Sequence, residues 1–151
     1  MQAHSIPIVQ KSWASVAAIA PAAAKLFYHN LLALDPSLQP LFKGDMQAQG
    51  EKLMRMIGMA VAKLDDLQTL IPALQNLGKR HIGYGVQDAH YATVGEALLA
   101  TLKTGLGEAF TPAVEQAWSS VYGLIASVMI SAGAAAGEEV VEVVAVEEVM
   151  I

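Results

Sequence analysis

The feature that most constrains the fold is the helical spacing of apolar residues along almost the whole chain. Apolar side chains recur three or four positions apart, as at Val9, Trp13 and Val16 and again at Phe27 and Leu31. This period belongs to an α-helix with one buried face, whereas a half-buried strand alternates every second residue. No convincing alternating segment precedes the carboxyl-terminal residues 138–151. We therefore expect an all-α protein.

Helix-breaking and capping residues divide this pattern into segments. Pro21 fits the first turn of a second helix, and two prolines with a glycine in DPSLQPLFKGD predict a short irregular corner. Asp45 is placed to cap the next helix, and a shorter segment then ends near His81. Two longer helices follow, the second beginning at Thr111-Pro112 as cap and first residue.

The length and charge of the chain restrict its domain count and its partners. The 151 residues, 54% of them hydrophobic, suffice for one domain with a sizeable core. All nine Lys and Arg residues precede residue 138, as do nine of the fourteen Asp and Glu residues, so the net charge of −5 comes from residues 138–151. A neutral body lacks the basic stripe that a phosphate backbone requires, and nucleic-acid binding is not expected.

Cysteine usage and hydropathy bear on the compartment. The chain has no cysteine, which excludes disulfides and a covalently attached haem and fits a cytoplasmic location, and its first residues do not resemble a secretory signal. Residues 116–137 carry no charge and are long enough to span a bilayer. They include four serines and three glycines, and no cation follows Lys103. We therefore predict a buried last helix and no membrane partner.

The last fourteen residues, EEVVEVVAVEEVMI, differ in composition from everything before them. Their β-branched valines disfavour an independent helix, and their glutamates disfavour a buried strand. They would be disordered, extend the last helix or be an artificial end. We expect a folded domain over residues 1–137 and an acidic, valine-rich tail over residues 138–151 that supplies no residue to a ligand site.

His81 is the residue whose role most needs explaining. It follows two cations at the end of an apolar segment and precedes Gly83 and Gly85. By itself it is either a metal ligand or the polar end of a helix, where an imidazole favours the dipole or bonds a carbonyl. The other three histidines have no His, Asp or Glu at the spacing of a compact metal site on one helix.

The surrounding segments resemble the globin family, in particular bacterial single-domain globins and the haem domain of flavohaemoglobins, over nearly all of residues 6–132. The similarity is carried by SW at Ser12-Trp13, LFYHNLLALDPSLQPLF, LIPALQNLGKRHIGYGV, HYATVGEALL and AWSSVYGLIA, in this order and spacing. The resemblance implies a globin fold, a helical sandwich around a noncovalent haem b.

The resemblance also implies a role for individual residues. His81 would be the proximal ligand of the haem iron, and its second ring nitrogen would bond a carbonyl one turn earlier, near Leu77. Tyr28, Gln49 and Leu53 would face the ligand pocket from the distal side. The remaining haem contacts would be Phe42 on the haem face, Val86, Tyr91 and Val94 at the proximal side and ring edge, and Lys52 and Arg80 near the propionates.

One departure from the family pattern affects the expected chemistry. Flavohaemoglobins pair the proximal histidine with a tyrosine and a glutamate; Tyr91 matches the tyrosine, but Gly133 occupies the glutamate position. Peroxidase-like chemistry is thereby disfavoured. The sequence also has no room for a flavin or nicotinamide module, so electrons would come from an external reductase.

The resemblance implies reversible binding of oxygen, and of carbon monoxide and nitric oxide, for oxygen storage, delivery or sensing. The enzymatic alternatives are nitric oxide dioxygenation and nitrite reduction with an external reductase. A third hypothesis is a haem-free helical protein whose acidic tail engages a partner. The oligomeric state stays open.

Overall fold

The structure, a computed structural model, describes residues 4–42, 44–83 and 88–136. Within these ranges the chain forms α-helices and short 3₁₀ helices and contains no β-strand. The prediction of an all-α protein is confirmed. The helices are α1 (Ser5–Ala17), α2 (Ala20–Leu34), α3 (Met46–Ala62), α4 (Leu67–Gly83), α5 (Asp88–Leu106) and α6 (Pro112–Ala136).

Most of the predicted helix ends are confirmed by their caps. Pro21 lies in the first turn of α2, and the Asp45 carboxylate accepts hydrogen bonds from the backbone N–H groups of Gln47 and Ala48 at the start of α3. Thr111 Oγ1 accepts one from the Val114 N–H, 3.3 Å away, at the start of α6. These side chains satisfy amide groups that have no partner within the helix.

Two segments differ from the prediction. The corner predicted to be irregular contains a 3₁₀ helix over Pro36–Leu41, whose first turn is capped by the Asp35 side chain. The segment predicted to be shorter than its neighbours is α4, which has 17 residues, as many as α3. Pro72 interrupts α4 only near its beginning, where a missing N–H removes a single hydrogen bond.

The helices pack around one hydrophobic core. The most extensive interface joins α4 to α6; α2 packs against α5, and α1 packs against α6. The axes of α1 and α2 meet at 103°. Two polar contacts cross the core: the Trp118 indole N–H donates to Ser12 Oγ at 2.8 Å, and the Asn30 amide donates to Thr101 Oγ1 at 3.2 Å.

A glycine allows α4 and α6 to approach closely. A Cβ atom added at Gly78 would lie 2.7 Å from the Met129 Cα and closer still to its carbonyl oxygen. Such contacts are well inside van der Waals distance, so only glycine fits this crossing.

Among the described residues, α6 is the single helix that is long and apolar enough to cross a membrane, and α1 with α2 passes the same test only if the pair bent by 103° is counted as one span. The contacts of α6 with α4 and α1 make it a core helix of the fold, as predicted.

Candidate ligand pocket

His81 lies near the end of α4 with its side chain fully buried. Its Nδ1 atom is 2.8 Å from the carbonyl oxygen of Leu77, one turn earlier on the same helix. Because a carbonyl only accepts hydrogen bonds, Nδ1 carries the proton and Nε2, which is also buried, carries the lone pair. The hydrogen bond thus presents a neutral imidazole in the tautomer that a metal ion requires.

A largely apolar cleft lies beside the helix that carries this histidine. Its volume is about 290 Å³, and its walls come from α2, α3, α4, α5 and α6. Four residues of the predicted haem contacts, Leu77, Arg80, Tyr91 and Val94, lie on its wall. Apolar walls of this kind hold a large flat ligand by burying its surface and keep water away from it.

Two tyrosines on the following helices support the histidine. The Tyr91 ring is stacked on the His81 ring, with centroids 6.2 Å apart and planes 23° apart. The Tyr122 hydroxyl of α6 donates to the Tyr91 carbonyl oxygen at 2.6 Å and fixes this part of α5. Burial, with a smaller effect of the Asp88 charge, raises the pKa of Tyr91 to about 12, so the phenol is neutral at physiological pH.

The residues predicted for the distal side are also buried, but they are not among the residues that line this cleft. The rings of Tyr28 and Phe42 meet edge to face, with centroids 5.3 Å apart. On α3, Gln49 and Leu53 are buried one turn apart on the same helix face. A Cβ atom at the neighbouring Gly50 would lie 3.0 Å from the Ala24 Cβ, so the glycine brings α3 close to the helix that carries Tyr28.

The Tyr28 hydroxyl is buried, and among the described residues no group meets it at hydrogen-bond geometry. Burial raises the pKa of Tyr28 above its ordinary value, and the nearby Gln49 side chain offsets part of this rise. The phenol is therefore a protonated donor without an acceptor among the described residues. A buried donor of this kind carries a desolvation penalty of about 1–3 kcal/mol, which a polar ligand would remove.

The other residues predicted from the resemblance lie at different places in the structure. Lys52 is half-buried on α3, and Arg80 is half-buried on the wall of the cleft. Val86 lies outside the described residues. Gly133, at the position of the flavohaemoglobin glutamate, is buried within α6. In the described ranges no three His, Cys, Asp or Glu side chains form a cluster suited to a metal ion, and His81 would be a single protein ligand.

The prediction missed part of the cleft wall. Met56 and Ile57 of α3 and Tyr122, Ile125 and Met129 of α6 line the cleft, although their helical spacing indicated only a buried face. The signal available in the sequence was the width of the apolar stripe on α6, which exceeds what packing against one neighbouring helix requires.

These residues fit the haem that the resemblance implies. A buried imidazole with an oriented lone pair, an apolar cleft and a buried donor lacking an acceptor are the groups that a haem iron and its small ligand need. His81 would hold the iron, and the cleft wall would hold the porphyrin. No covalent attachment is available, since the chain has no cysteine.

Comparison with known proteins agrees with this interpretation. Residues 25–129 match the family model described as Globin. Neuroglobin of Danio rerio is 34% identical over 145 residues, which cover 87% of this chain and 91% of the relative. A flavohaemoprotein of Bordetella parapertussis is 34% identical over 107 residues, which cover 69% of this chain but only 27% of the relative.

A solved structure shares the same architecture. It is an engineered carbene transferase made from a putative nitric oxide dioxygenase of Rhodothermus marinus. The TM-score is 0.82 at 23% sequence identity, and the alignment covers 91% of this chain and 96% of that one. At this identity the likeness establishes the fold. With the family match and the neuroglobin similarity, it shows that the chain belongs to the globin family, whose members bind haem and, through it, diatomic ligands.

Proposed function

We propose that this globin binds dioxygen reversibly and that Tyr28 and Gln49 stabilise the bound ligand. The observation that carries the proposal is the buried Tyr28 hydroxyl, which lacks an acceptor among the described residues. When bound, haem would supply the iron atom that binds the small ligand, and His81 would hold that iron. The bound ligand would offer the phenol an acceptor.

The chemistry of the distal side favours oxygen over carbon monoxide. Dioxygen gains partial negative charge on binding and carbon monoxide gains less, so hydrogen-bond donors stabilise oxygen selectively. Tyr28 remains protonated because its burial disfavours the phenolate. Leu53 and Phe42 add buried apolar surface that limits the entry of water and anions. Nitric oxide is a further expected ligand.

The residues on the proximal side would retain the haem and orient the His81 ring. The His81 ring is held by its bond to the Leu77 carbonyl and by the stacked Tyr91 ring, so it meets the iron in one orientation. Arg80 on the cleft wall and Lys52 on α3 are the proposed partners of the propionates, the only charged groups of the porphyrin. We also propose that Val94 and the predicted Val86 contact the ring edge.

Removal of the phenolic oxygen tests the proposal. Tyr28→Phe should accelerate oxygen dissociation about tenfold to a hundredfold, equivalent to about 1–3 kcal/mol, and should change carbon monoxide dissociation much less. Stopped-flow measurements with both gases, and with Gln49→Leu and the double variant, separate the two donors. Tyr122→Phe is the matched control because it removes the same atom from the proximal side. Unchanged oxygen rates in all three distal variants would reject the proposal.

An enzymatic role is the second candidate. The similarity to a flavohaemoprotein and to the fold of a putative nitric oxide dioxygenase favours nitric oxide dioxygenation, in which NO, O2 and one electron give nitrate. The electron would come from an external reductase. Nitrate formation measured against reductant consumption tests this role, and turnover no faster than spontaneous NO oxidation would exclude it.

Nitrite reduction, in which nitrite, two protons and one electron give NO and water, is tested by NO release in the absence of oxygen.

The remaining predictions belong to the same proposal. A cytoplasmic location agrees with the absence of cysteine, and the division into a globin domain over residues 1–137 and a tail over residues 138–151 agrees with the change in composition. The alternative of a haem-free interaction protein predicts no Soret band after haem is supplied to the purified chain. An intense band at one haem per chain would exclude that role as the primary one.

A further inference from the structure

A second, larger groove lies beside α2 and α3, and Tyr28 is among the residues that line it. It runs between α2 and α3, is closed by the end of α1, and has a volume of about 1200 Å³. We name it the α2–α3 groove. Its apolar lining includes Trp13, Ala24, Leu32, Met46 and Met54. Unbranched methionine side chains adapt to irregular apolar partners, so this lining suits an aliphatic segment.

The rim of the α2–α3 groove is positively charged. Lys25 of α2 and Arg55 of α3 line it and are exposed, and Glu51 is the one acidic residue among its lining residues in the described ranges. The body of the protein up to residue 137 has as many acidic as basic residues. The excess of cations here is therefore a local feature that favours an acidic occupant.

The chain contains a segment with the complementary composition. Residues 138–151 carry five glutamates, six valines and a final Met150-Ile151, and no cation. Their apolar side chains match the lining of the α2–α3 groove, and their carboxylates match its rim. Apolar grooves that accept apolar side chains and cationic clusters that accept acidic motifs are both known modes of peptide recognition.

The reach of this segment allows it to bind its own body. The rings of Trp118 on α6 and Trp13 at the groove are 6.1 Å apart, so this part of α6 lies beside the groove. Ala136 is eighteen residues further along α6, or about 27 Å at 1.5 Å per residue. Residues 137–151 span about 50 Å when extended at about 3.3 Å per residue. About eight residues cover the return, and about seven remain to lie in the groove.

We propose that residues 138–151 bind in the α2–α3 groove of the same chain, with their glutamates facing Lys25 and Arg55 and their valines and terminal Met150-Ile151 covering the apolar lining. The proposal adds an interaction surface to the globin and does not depend on which gas it carries. Because much of the attraction is between exposed charges, salt weakens the contact.

The test uses the haem-loaded chain truncated after Gly137 and a synthetic peptide of residues 138–151. Calorimetric titration should show one-to-one binding at low salt, weakened at least tenfold at 0.5 M salt, where the Debye length is about 4 Å. Lys25→Glu with Arg55→Glu should weaken binding at least tenfold. Lys103→Glu, an exposed cation outside the groove lining, is the matched control and should bind as the parent does. A peptide with every glutamate replaced by glutamine should also bind at least tenfold more weakly.

Hydrogen exchange gives a second measurement that needs no substitution. The full chain should protect the exposed amides around residues 20–33 and 46–55 more than the truncated chain does, and the amides of α5 should be unchanged. Absence of peptide binding together with identical exchange in the two chains would overturn the proposal. A full chain that is dimeric by sedimentation at micromolar concentration, while the truncated chain is monomeric, would assign the tail to a second copy and overturn the intrachain contact.

Discussion

Substitution of Gly78 by alanine tests whether α4 and α6 pack more closely than helices ordinarily do. The Cβ atom of Gly78→Ala would lie 2.7 Å from the Met129 Cα, and nearer to the Met129 carbonyl oxygen. Both atoms are backbone, so they cannot move aside as the end of a side chain would. The helix α4 must therefore shift away from α6, and His81, three residues further along, must shift with it.

Two opposing effects set the change that Gly78→Ala makes in the free energy of unfolding. Overpacking of a close core contact costs about 1–3 kcal/mol. Alanine favours a helix over glycine by about 1 kcal/mol, which offsets part of this loss. We expect Gly78→Ala to lower the free energy of unfolding by up to about 2 kcal/mol, a substantial fraction of the stability of a single domain. Displacement of His81 should also accelerate the loss of haem.

The assays are urea denaturation of the haem-loaded protein and transfer of haem to an acceptor protein in excess. Gly123→Ala is the matched control, because it makes the same substitution in α6 at an exposed site where an added Cβ meets no atom within 4 Å. It should stabilise the protein by up to about 1 kcal/mol. Equal stabilisation by both substitutions would refute the close approach of α4 and α6.

Three further predictions concern the pocket and the helix that faces it. His81→Ala should lose haem in a haem titration, whereas His90→Ala should retain it; the reverse result would mean that the proximal ligand is misassigned. Asp45→Ala, which removes the α3 cap, should cost about 1 kcal/mol by urea denaturation, and an unchanged midpoint would contradict the capping role. Because the pKa of Tyr91 is raised to about 12, the stability gained by keeping it neutral is present below pH 10 and lost as pH rises through about 12. Alkaline titration of tyrosinate absorbance, with Tyr91→Phe as the reference, measures this pKa. A difference spectrum that titrated near pH 10 would contradict the prediction.

Features that depend on neighbouring residues in the chain were predictable from the sequence. The caps at Asp45 and Thr111 and the proline in the first turn of α2 follow from backbone groups within a few residues. For these caps, residue type and spacing sufficed because no other helix is needed to place the atoms. The bond between His81 and the Leu77 carbonyl also lies within one turn of α4, but its expectation came from the globin resemblance and not from spacing.

Features that depend on how helices cross were not predictable in the same way. The stacking of Tyr91 on His81 and the bond from Tyr122 to Tyr91 require α4, α5 and α6 to meet at one place. Hydrophobic periodicity shows which face of α6 is buried but not whether it meets a helix or a ligand. For this reason Met129 appeared in the sequence as a core residue and in the structure as part of the cleft wall.

The buried Tyr28 hydroxyl would stabilise a bound ligand but lowers the stability of the ligand-free fold. Within the part of the chain that the structure describes, the hydroxyl has no acceptor, and in the absence of a ligand this costs the folded state on the order of 1–3 kcal/mol. Phenylalanine would fill nearly the same space without that penalty, so selection for stability alone would favour it. The tyrosine is therefore explained by what its hydroxyl does in the liganded protein and not by a contribution to the ligand-free fold. A substitution that weakens function here would make the ligand-free fold more robust, and a screen for thermal stability alone would select it.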